Sequence, residues 1–337
     1  MRVKVLGAGI VGLSCADELR RRGHRVTVVD PQPGRGASHA AAGMLSPAGE
    51  VWHGESTVLD LGRRSMALWP SYAERLGVPL HTTGTLLVGR DHADLQDVHR
   101  QVDLLLGHGA TVESLDAREV AALEPRLARV AGGALLPEDH SVDPRAVVAA
   151  LLARVGTRPD DPEDRFDATV LATGARLPPP YASLVRGVRG EVVRAHSDDP
   201  PSRTVRGWVR GQHVYVVPRP DGEVVIGATQ EERAGGPPTL GGVARLLWAA
   251  RELVPGLDEA GLTDVTARDR PGTPDNLPLV GPTGQAGVVL AAGHFRHGVL
   301  LAPLTARLVA DHLETGHTDP ALDPRRLIAP QEENSWT

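Results

Sequence analysis

The N-terminal segment alternates between short apolar runs and a helical pattern. Residues 3–6 form an apolar run that ends at a glycine, residues 13–22 carry apolar side chains at helical spacing, and residues 25–30 are rich in β-branched side chains. A short apolar run bounded by glycine is typical of a buried strand, and apolar positions three to four residues apart are typical of a helix. The order strand, turn, helix, strand predicts a βαβ unit.

Farther along the chain, the same patterns predict further helices and strands. Glycine, proline and aspartate separate the strands between residues 191 and 228, which is typical of an antiparallel sheet. The predicted helices are 57–76, 93–107, 117–123, 143–154, 242–253 and 299–313. The predicted strands are 85–88, 169–172, 191–195, 205–209, 213–217, 224–228, 263–270 and 288–291.

This distribution predicts an α/β fold in which the two ends of the chain enclose a β-rich middle. A length of 337 residues suits two domains. We expect a Rossmann-like nucleotide-binding domain made of discontinuous segments, with an antiparallel β-sheet substrate domain inserted between them. The expected nucleotide-binding segments are 1–77, 131–178 and 266–330, the substrate-domain segments are 78–130 and 179–265, and 331–337 is a polar tail.

Composition narrows the functional classes. The net charge is −6 and there is no basic stripe, so we expect no nucleic-acid partner. No apolar run reaches the length of a membrane helix. Although the first 16 residues resemble a signal peptide in charge and hydrophobicity, their glycines fit a nucleotide-binding turn better. Cys15 is the single cysteine, which fits a reducing cytoplasm. Lys4 is the single lysine, which argues against pyridoxal-phosphate chemistry.

A glycine-rich turn follows the first predicted strand. It reads Gly7-Ala8-Gly9-Ile10-Val11-Gly12, and Asp30 stands at the end of the second strand. In such a turn, the glycines allow a tight bend, close approach of a pyrophosphate, and close packing of helix on strand. The acid can accept hydrogen bonds from a ribose. The motif predicts binding of a dinucleotide and does not by itself distinguish NAD from FAD.

Four further segments resemble those of a known family. They are residues 38–44 (Ser-His-Ala-Ala-Ala-Gly-Met), 171–175, 270–275 and 293–298. Over residues 1–328, the chain resembles the glycine oxidases of thiamine biosynthesis, which belong to the D-amino-acid oxidase superfamily. The resemblance implies non-covalent FAD. Gly298 is expected to open the helix 299–313, whose N-terminus would stabilise the charge of reduced flavin. The implied FAD-contacting residues are Gly7, Gly9, Ile10, Val11, Gly12, Asp30, Ser38, Ala42, Gly43, Met44, Thr173, Gly174, Gly293, His294, Arg296, His297, Gly298 and Val299.

The resemblance also implies a substrate site. Tyr215 and Arg270 would hold the substrate carboxylate, His213 would lie beside it, Arg296 would lie near the flavin, and Met44 would form the pocket wall. A guanidinium suits a carboxylate because it can form two parallel hydrogen bonds. His213 and Tyr215, two residues apart on a strand, are expected on one face. Tyrosine and histidine on strands also serve ordinary packing, so a structural role is the alternative.

Several residues depart from the family pattern or compete for a role. Arg268 shares a strand face with Arg270 and is a rival carboxylate anchor, and Asp269 is a candidate partner for Arg268. His297 stands where the family usually has asparagine. Residues 155–166 are shorter than in relatives, where a strand runs alongside the adenosine of FAD, so we expect weaker FAD binding. No metal site is expected, because His81, His108, His140 and His196 lack the spacing of metal ligands.

These expectations define one activity and its rivals. We expect oxidation of glycine or a similar small amino acid to the imine and glyoxylate, with molecular oxygen reduced to hydrogen peroxide. A cytoplasmic homo-oligomer acting in the thiazole branch of thiamine synthesis is implied by the resemblance. The rivals are a sarcosine or D-amino-acid oxidase, a flavin-binding protein with degraded catalysis, and an NAD-dependent dehydrogenase. Covalent flavin attachment of the sarcosine-oxidase type needs a cysteine near the C-terminal motif, and this chain has none there.

Overall fold

A computed structural model describes residues 1–47, 49 and 56–328. Both helices and strands occur along these ranges. The strands are β1 (Arg2–Leu6), β2 (Arg25–Val29), β3 (Met44–Leu45), β4 (Leu80–His81), β5 (Thr85–Gly89), β6 (Glu113–Asp116), β7 (Gly132–Leu136), β8 (His140–Val142), β9 (Ala168–Leu171), β10 (Arg186–His196), β11 (Thr204–Val209), β12 (Gln212–Pro218), β13 (Glu223–Gly227), β14 (Gly261–Gly272), β15 (Leu279–Pro282) and β16 (Val288–Ala292). The helices are α1 (Ile10–Arg21), α2 (Ala37–Ala40), α3 (Ser56–Met66), α4 (Trp69–Leu76), α5 (His92–Gly107), α6 (Ala117–Leu123), α7 (Pro144–Val155), α8 (Leu240–Leu253) and α9 (Ala302–Thr315).

The first βαβ unit belongs to a five-stranded sheet with the order β15-β16-β9-β1-β2. β1 is parallel to both β2 and β9, and β16 is parallel to β9, whereas β15 pairs with β16 in the antiparallel direction. Helix α1 packs against α7 and α9 beside this sheet. Side chains such as Val3, Leu13 and Leu19 are fully buried between sheet and helices. The predicted Rossmann-like unit is confirmed.

The β-rich middle forms an eight-stranded sheet with the order β14-β10-β13-β12-β11-β5-β7-β6. All its pairs are antiparallel except β5 with β11. One face packs against α8 through a valine-rich cluster that includes Val214 and Val216. The opposite face carries Val192, Tyr215 and Val217. These side chains cluster with Ala42, which follows α2 in the nucleotide-binding segments. The predicted antiparallel sheet is therefore present, and one of its faces is turned toward the nucleotide-binding segments.

Two of the predicted domain boundaries do not coincide with the limits of the two sheets. β7 pairs with β5 and β6 and so belongs to the eight-stranded sheet, although segment 131–178 was expected in the nucleotide-binding domain. β14 runs unbroken alongside β10 from Gly261 to Gly272, so a boundary at residue 266 would divide one strand. Both differences arise from pairing between distant strands. The tail at 331–337 lies outside the described residues.

Two predicted helices also differ in their bounds. The helix expected over 57–76 is two helices, α3 and α4, and Pro70 lies in the first turn of α4. The helix expected over 299–313 begins at Ala302, with Pro303 in its first turn. Proline lacks the N–H that the helix interior requires, so both boundaries fall where proline can be accommodated. None of the helices in the described ranges is long and apolar enough to cross a membrane.

The shortened segment runs along the free edge of β2. Residues 156–167, all of which are described, contain no strand. At that edge, the backbone N–H of Arg158 donates to the carbonyl of Val28 at 3.0 Å. The segment then returns to the other side of β1, where the N–H of Asp167 donates to the carbonyl of Arg2 at 2.8 Å directly before β9. A coil therefore lies where the resemblance implies an additional strand.

Candidate active site

A cavity of about 610 Å³ lies between the two sheets. The nucleotide-binding segments line it with the glycine turn, the end of β2, α2 and the loops after β9 and β16. The eight-stranded sheet contributes Gly190, Val192, Tyr215, Arg268 and Arg270. All the predicted FAD-contacting residues line this cavity except Gly12 and Gly293. The structure thus brings together residues from distant parts of the chain.

The glycine turn is fixed by close backbone packing. Gly7 has a φ of +104°, and a Cβ on it would lie 2.3 Å from the carbonyl oxygen of Ala172. A Cβ on Gly12 would lie 2.1 Å from the carbonyl oxygen of Gly7. Gly12 is therefore required for packing of α1 on the turn and does not itself face the cavity. Gly9 lines the cavity and leads into α1, whose first N–H groups suit a phosphate.

Asp30 and Ser38 hold the turn in place. The carboxylate of Asp30 accepts hydrogen bonds from the backbone N–H groups of Ala8 at 2.6 Å and Gln32 at 2.7 Å. The Ser38 hydroxyl oxygen accepts from the N–H of Ile10 at 3.0 Å. Each carboxylate oxygen has two lone-pair sites, so Asp30 can also accept from a ribose at the cavity edge. Its ribose contact stays a prediction.

The C-terminal motif forms a turn that enters the cavity. His294 is buried, and its Nε2 lies 2.8 Å from the Thr305 hydroxyl. Burial, together with repulsion from His297, lowers the pKa of His294 to about 3, so this ring is neutral near pH 7. Gly293 faces away, because a Cβ on it would lie 2.5 Å from Thr273 Cγ2. Arg296 lines the cavity, and its Cζ lies 5.1 Å from the centre of the Phe295 ring.

Gly298 does not open α9 directly. It lies in a turn before the helix, in which the N–H of Leu301 donates to the carbonyl of His297 at 2.8 Å. The helix itself begins at Ala302. We expected the helix to begin directly after Gly298, and this is wrong: α9 begins about one turn later, where Pro303 is accommodated in its first turn.

Tyr215 and Arg270 line the cavity from the eight-stranded sheet. Arg270 Nη1 donates to the carbonyl oxygens of Arg189 at 3.3 Å and Thr229 at 3.2 Å. Tyr215 belongs to an apolar cluster that Met44 also contacts. A cationic fork and a phenol thus lie beside an apolar wall, which suits a small substrate with one carboxylate.

His213 lies outside this cavity. It is exposed, and its ring packs edge-on against Trp208 with ring centres 5.1 Å apart. It lines a separate cavity of about 270 Å³ together with Arg245 and Leu246 of α8. The structure therefore does not place His213 beside Tyr215 at the expected substrate position. The reason is that His213 is near the start of its strand, where packing on the cross-strand neighbour Trp208 directs the ring.

The residues around Arg268 also differ from expectation. Asp269 accepts from the N–H of Gly235 at 2.9 Å and 3.1 Å and does not pair with Arg268. Adjacent strand residues point to opposite faces, which explains the separation. Arg176, which the sequence analysis missed, lines the cavity as well. Its position directly after the segment 171–175 was the available signal.

The cavity carries more positive than negative charge. Four arginines line it, Arg176, Arg268, Arg270 and Arg296, and among the described lining residues the single acid is Asp30. This contrasts with the net charge of −6 for the chain. FAD fits the site, because the glycine turn accepts a pyrophosphate and the arginines complement its charge. A Cβ on the lining residue Gly174 would meet no protein atom within 4 Å, so the cavity is open there.

Comparison with known proteins agrees with this arrangement. A protein of Rhizobium etli, assigned by inference as the thiamine biosynthesis oxidoreductase ThiO, is 37% identical over 95% of this chain and 98% of its own. The glycine oxidase of Geobacillus kaustophilus is 32% identical over 96% of both chains. The crystal structure of a glycine oxidase from that organism matches with a TM-score of 0.82 at 31% identity, covering 96% of each chain.

The family model for FAD dependent oxidoreductases matches residues 2–312, which is most of the chain. FAD, the cofactor in the description of this family, fits the glycine turn, the positively charged cavity and the mixed α/β fold. The chain belongs to the family of FAD dependent oxidoreductases that includes these relatives.

Proposed function

We propose that this protein oxidises glycine, or a similarly small amine that carries a carboxylate, with FAD as its cofactor. The observation that carries the proposal is the placement of Arg270 and Tyr215 on one face of the eight-stranded sheet, both lining the cavity that fits FAD. Two relatives with about a third of their residues identical to this chain are named for glycine oxidation or thiamine biosynthesis.

Arg270 binds the substrate carboxylate in this proposal. Its bonds to the carbonyls of Arg189 and Thr229 hold the guanidinium in place before substrate arrives. The guanidinium presents its N–H donors in a planar fork, which matches the two oxygens of a carboxylate. Tyr215 donates a further hydrogen bond to that carboxylate. Fixing one end of the substrate orients its Cα–H, and such positioning contributes much of the rate in reactions of this type.

The remaining side chains set the size and polarity of the site. Met44 and Val192 line the cavity on its apolar side, which favours a substrate with little or no side chain. FAD held in this cavity would supply the two-electron oxidation of the substrate Cα–N bond, with molecular oxygen as the final acceptor and hydrogen peroxide as its product.

The product of the first step is an imine, which water hydrolyses to glyoxylate and ammonia. A role in the thiazole branch of thiamine synthesis would instead consume the imine directly. We also propose a cytoplasmic location, consistent with the single cysteine, Cys15, which is buried in α1. A homo-oligomeric assembly is proposed from the family resemblance.

An oxygen-electrode screen tests this proposal. The FAD-loaded protein is assayed with glycine, sarcosine and several D-amino acids. Catalase, which converts hydrogen peroxide to water and oxygen, is then added and should return half of the oxygen consumed. Glycine and sarcosine should rank above amino acids with large side chains. A preference for bulky D-amino acids would replace glycine oxidation by D-amino-acid oxidation, and no oxygen uptake with any amine would favour a flavin-binding protein without this activity.

A further inference from the structure

Arg268 joins the eight-stranded sheet to the loop that follows β2. Its Nε donates to the carbonyl of Arg35 at 2.7 Å, and its Nη1 donates to the carbonyl of Ala267 at 2.8 Å. Arg268 also lines the large cavity. Within the part of the chain that the structure describes, its guanidinium forms no ion pair with a carboxylate. Among the described residues, its positive charge is therefore not paired with a carboxylate.

The loop that Arg268 contacts is packed directly on the glycine turn. The N–H of Gly34 donates to the carbonyl of Ala8 at 2.9 Å, and Arg35 is the next residue. Ser38, at the start of α2, accepts from the N–H of Ile10. Arg268 and the glycine turn therefore border the same part of the cavity, one from each sheet. Arg270 is held instead by the carbonyls of Arg189 in β10 and of Thr229, two residues after β13. The two arginines on this strand face thus serve different parts of the cavity.

The surroundings of α2 have an excess of positive charge. Arg35, Arg145 and Arg268 all act on His39 and, after burial, are the main reason that its pKa falls to about 4. Of these three arginines, Arg145 has a carboxylate partner, Asp264, at 2.7 Å. Arg35 is exposed and Arg268 is partly buried at the cavity wall, so an anion in the cavity beside Arg268 would gain a favourable interaction with its charge. The anion must fit next to a glycine turn of the type that binds pyrophosphate.

We propose that Arg268 binds the pyrophosphate of FAD from the side opposite the glycine turn. The planar guanidinium suits phosphate oxygens, which it can contact with two parallel hydrogen bonds. Its hydrogen bond to the carbonyl of Arg35 holds the guanidinium in position. Through Arg268, the eight-stranded sheet would thus contact the cofactor directly. Residues 156–167 provide no strand beside β2. We therefore expect ionic contacts at the pyrophosphate to contribute a larger share of the free energy of FAD binding than they would if that strand were present. The inference rests on FAD as cofactor and is independent of which amine is oxidised.

The test is titration of the full-length apoprotein with FAD, followed by quenching of flavin fluorescence. Arg268→Met should raise the Kd for FAD by about tenfold at low salt, which is the effect of losing one hydrogen-bonded charge contact. Arg268→Lys keeps the charge and should stay within about threefold of the parent protein. The matched control is Arg203→Met, because Arg203 also bonds a backbone carbonyl, that of Thr83, but does not line the cavity.

Salt separates a charge contact from structural damage. At about 1 M salt, where the Debye length is about 3 Å, the ratio of the Arg268→Met and parent Kd values should narrow to about twofold. The proposal is overturned if Arg268→Met binds FAD as tightly as the parent at low salt. It is equally overturned if the loss persists unchanged at high salt and lysine does not restore binding. Since no amine is present in the titration, its outcome does not depend on glycine oxidation.

Discussion

The guanidinium of Arg270 lies directly against Gly190, so closely that a Cβ at position 190 would fall 2.2 Å from Nη1 and 2.4 Å from Cζ. The two residues are on adjacent strands, β14 and β10, and both line the large cavity. The position of Arg270, the proposed carboxylate anchor, therefore depends on a glycine that belongs to a different segment of the chain.

Adding one methyl group at this glycine should displace Arg270. We expect Gly190→Ala to lower kcat/KM for glycine by about tenfold or more, because a misplaced carboxylate contact disturbs the geometry of the reacting atoms. FAD content should stay close to that of the parent protein. Gly261→Ala is the matched control, since a Cβ at that β14 position would meet no protein atom within 4 Å. Equal activity of both variants would show that Arg270 tolerates displacement or does not bind substrate.

Removing the Arg270 side chain should have a larger effect. Arg270→Met keeps much of the apolar stem but removes the charge, and a desolvated charged pair is worth about 2–5 kcal/mol. We therefore expect kcat/KM for glycine to fall by about thirtyfold or more. Arg203→Met, which removes an arginine outside the cavity, should leave the activity unchanged. If Arg270→Met retains full activity, the carboxylate must bind elsewhere.

The hydroxyl of Tyr215 should contribute separately. Tyr215→Phe removes one hydrogen bond to a charged group, which is worth about 1.5–3 kcal/mol, so KM for glycine should rise by about tenfold or more. Combining Tyr215→Phe with Arg270→Met in a double-mutant cycle measures whether the two side chains act on the same carboxylate. Additive losses would indicate that they contact different groups.

Histidine burial predicts how stability depends on pH. Because its pKa falls from 6.5 to about 3, His294 stays neutral in the fold, whereas in the unfolded chain it gains a proton below about pH 6.5. The unfolded state then binds more protons, so His294 should lower the free energy of unfolding as pH falls from about 6.5 toward 3. His39, with a pKa of about 4, acts in the same direction.

Urea unfolding at pH 7.5 and pH 5 measures this effect. The loss of stability between the two pH values should be smaller for His294→Asn than for the parent protein, whatever the stability of the variant at pH 7.5. His39→Asn provides the second comparison, and we expect a similar reduction, because a pKa of about 4 also leaves that ring largely neutral at pH 5. An unchanged pH dependence in His294→Asn would mean that this ring is protonated in the folded protein.

FAD should be bound without a covalent link. Cys15, the only cysteine, is buried in α1 and burial raises the pKa of its thiol to about 12. It does not line the cavity. Acid precipitation of the FAD-loaded protein should release all of the flavin into the supernatant. Flavin that stays with the precipitated protein would contradict this prediction.

The parts of the fold that could be predicted from sequence are those determined locally. The strand, turn and helix of residues 2–21 follow from side-chain periodicity and glycine spacing, and the structure confirms them. The membership of β7 in the eight-stranded sheet and the full length of β14 depend on pairing with distant strands, which periodicity does not report.

The candidate site likewise has features that the sequence could predict and features that depend on contacts between distant strands. Motif position indicated Arg270, Tyr215 and the C-terminal turn, and the structure places them in one cavity. The dependence of Arg270 on Gly190 could not be predicted, because it arises from the register of β10 with β14. His213 was expected beside Tyr215 from the family resemblance and from strand alternation, neither of which accounts for the cross-strand contact with Trp208.

The most direct test of the account is to mix FAD-loaded protein with glycine in the absence of oxygen and to follow the visible flavin absorbance. We predict that the parent protein loses this absorbance within a single turnover, that oxygen restores it, and that Arg270→Met loses it about thirtyfold or more slowly at limiting glycine. Unchanged absorbance with glycine, sarcosine and D-alanine in a protein that holds FAD would contradict the proposed oxidation of small amines.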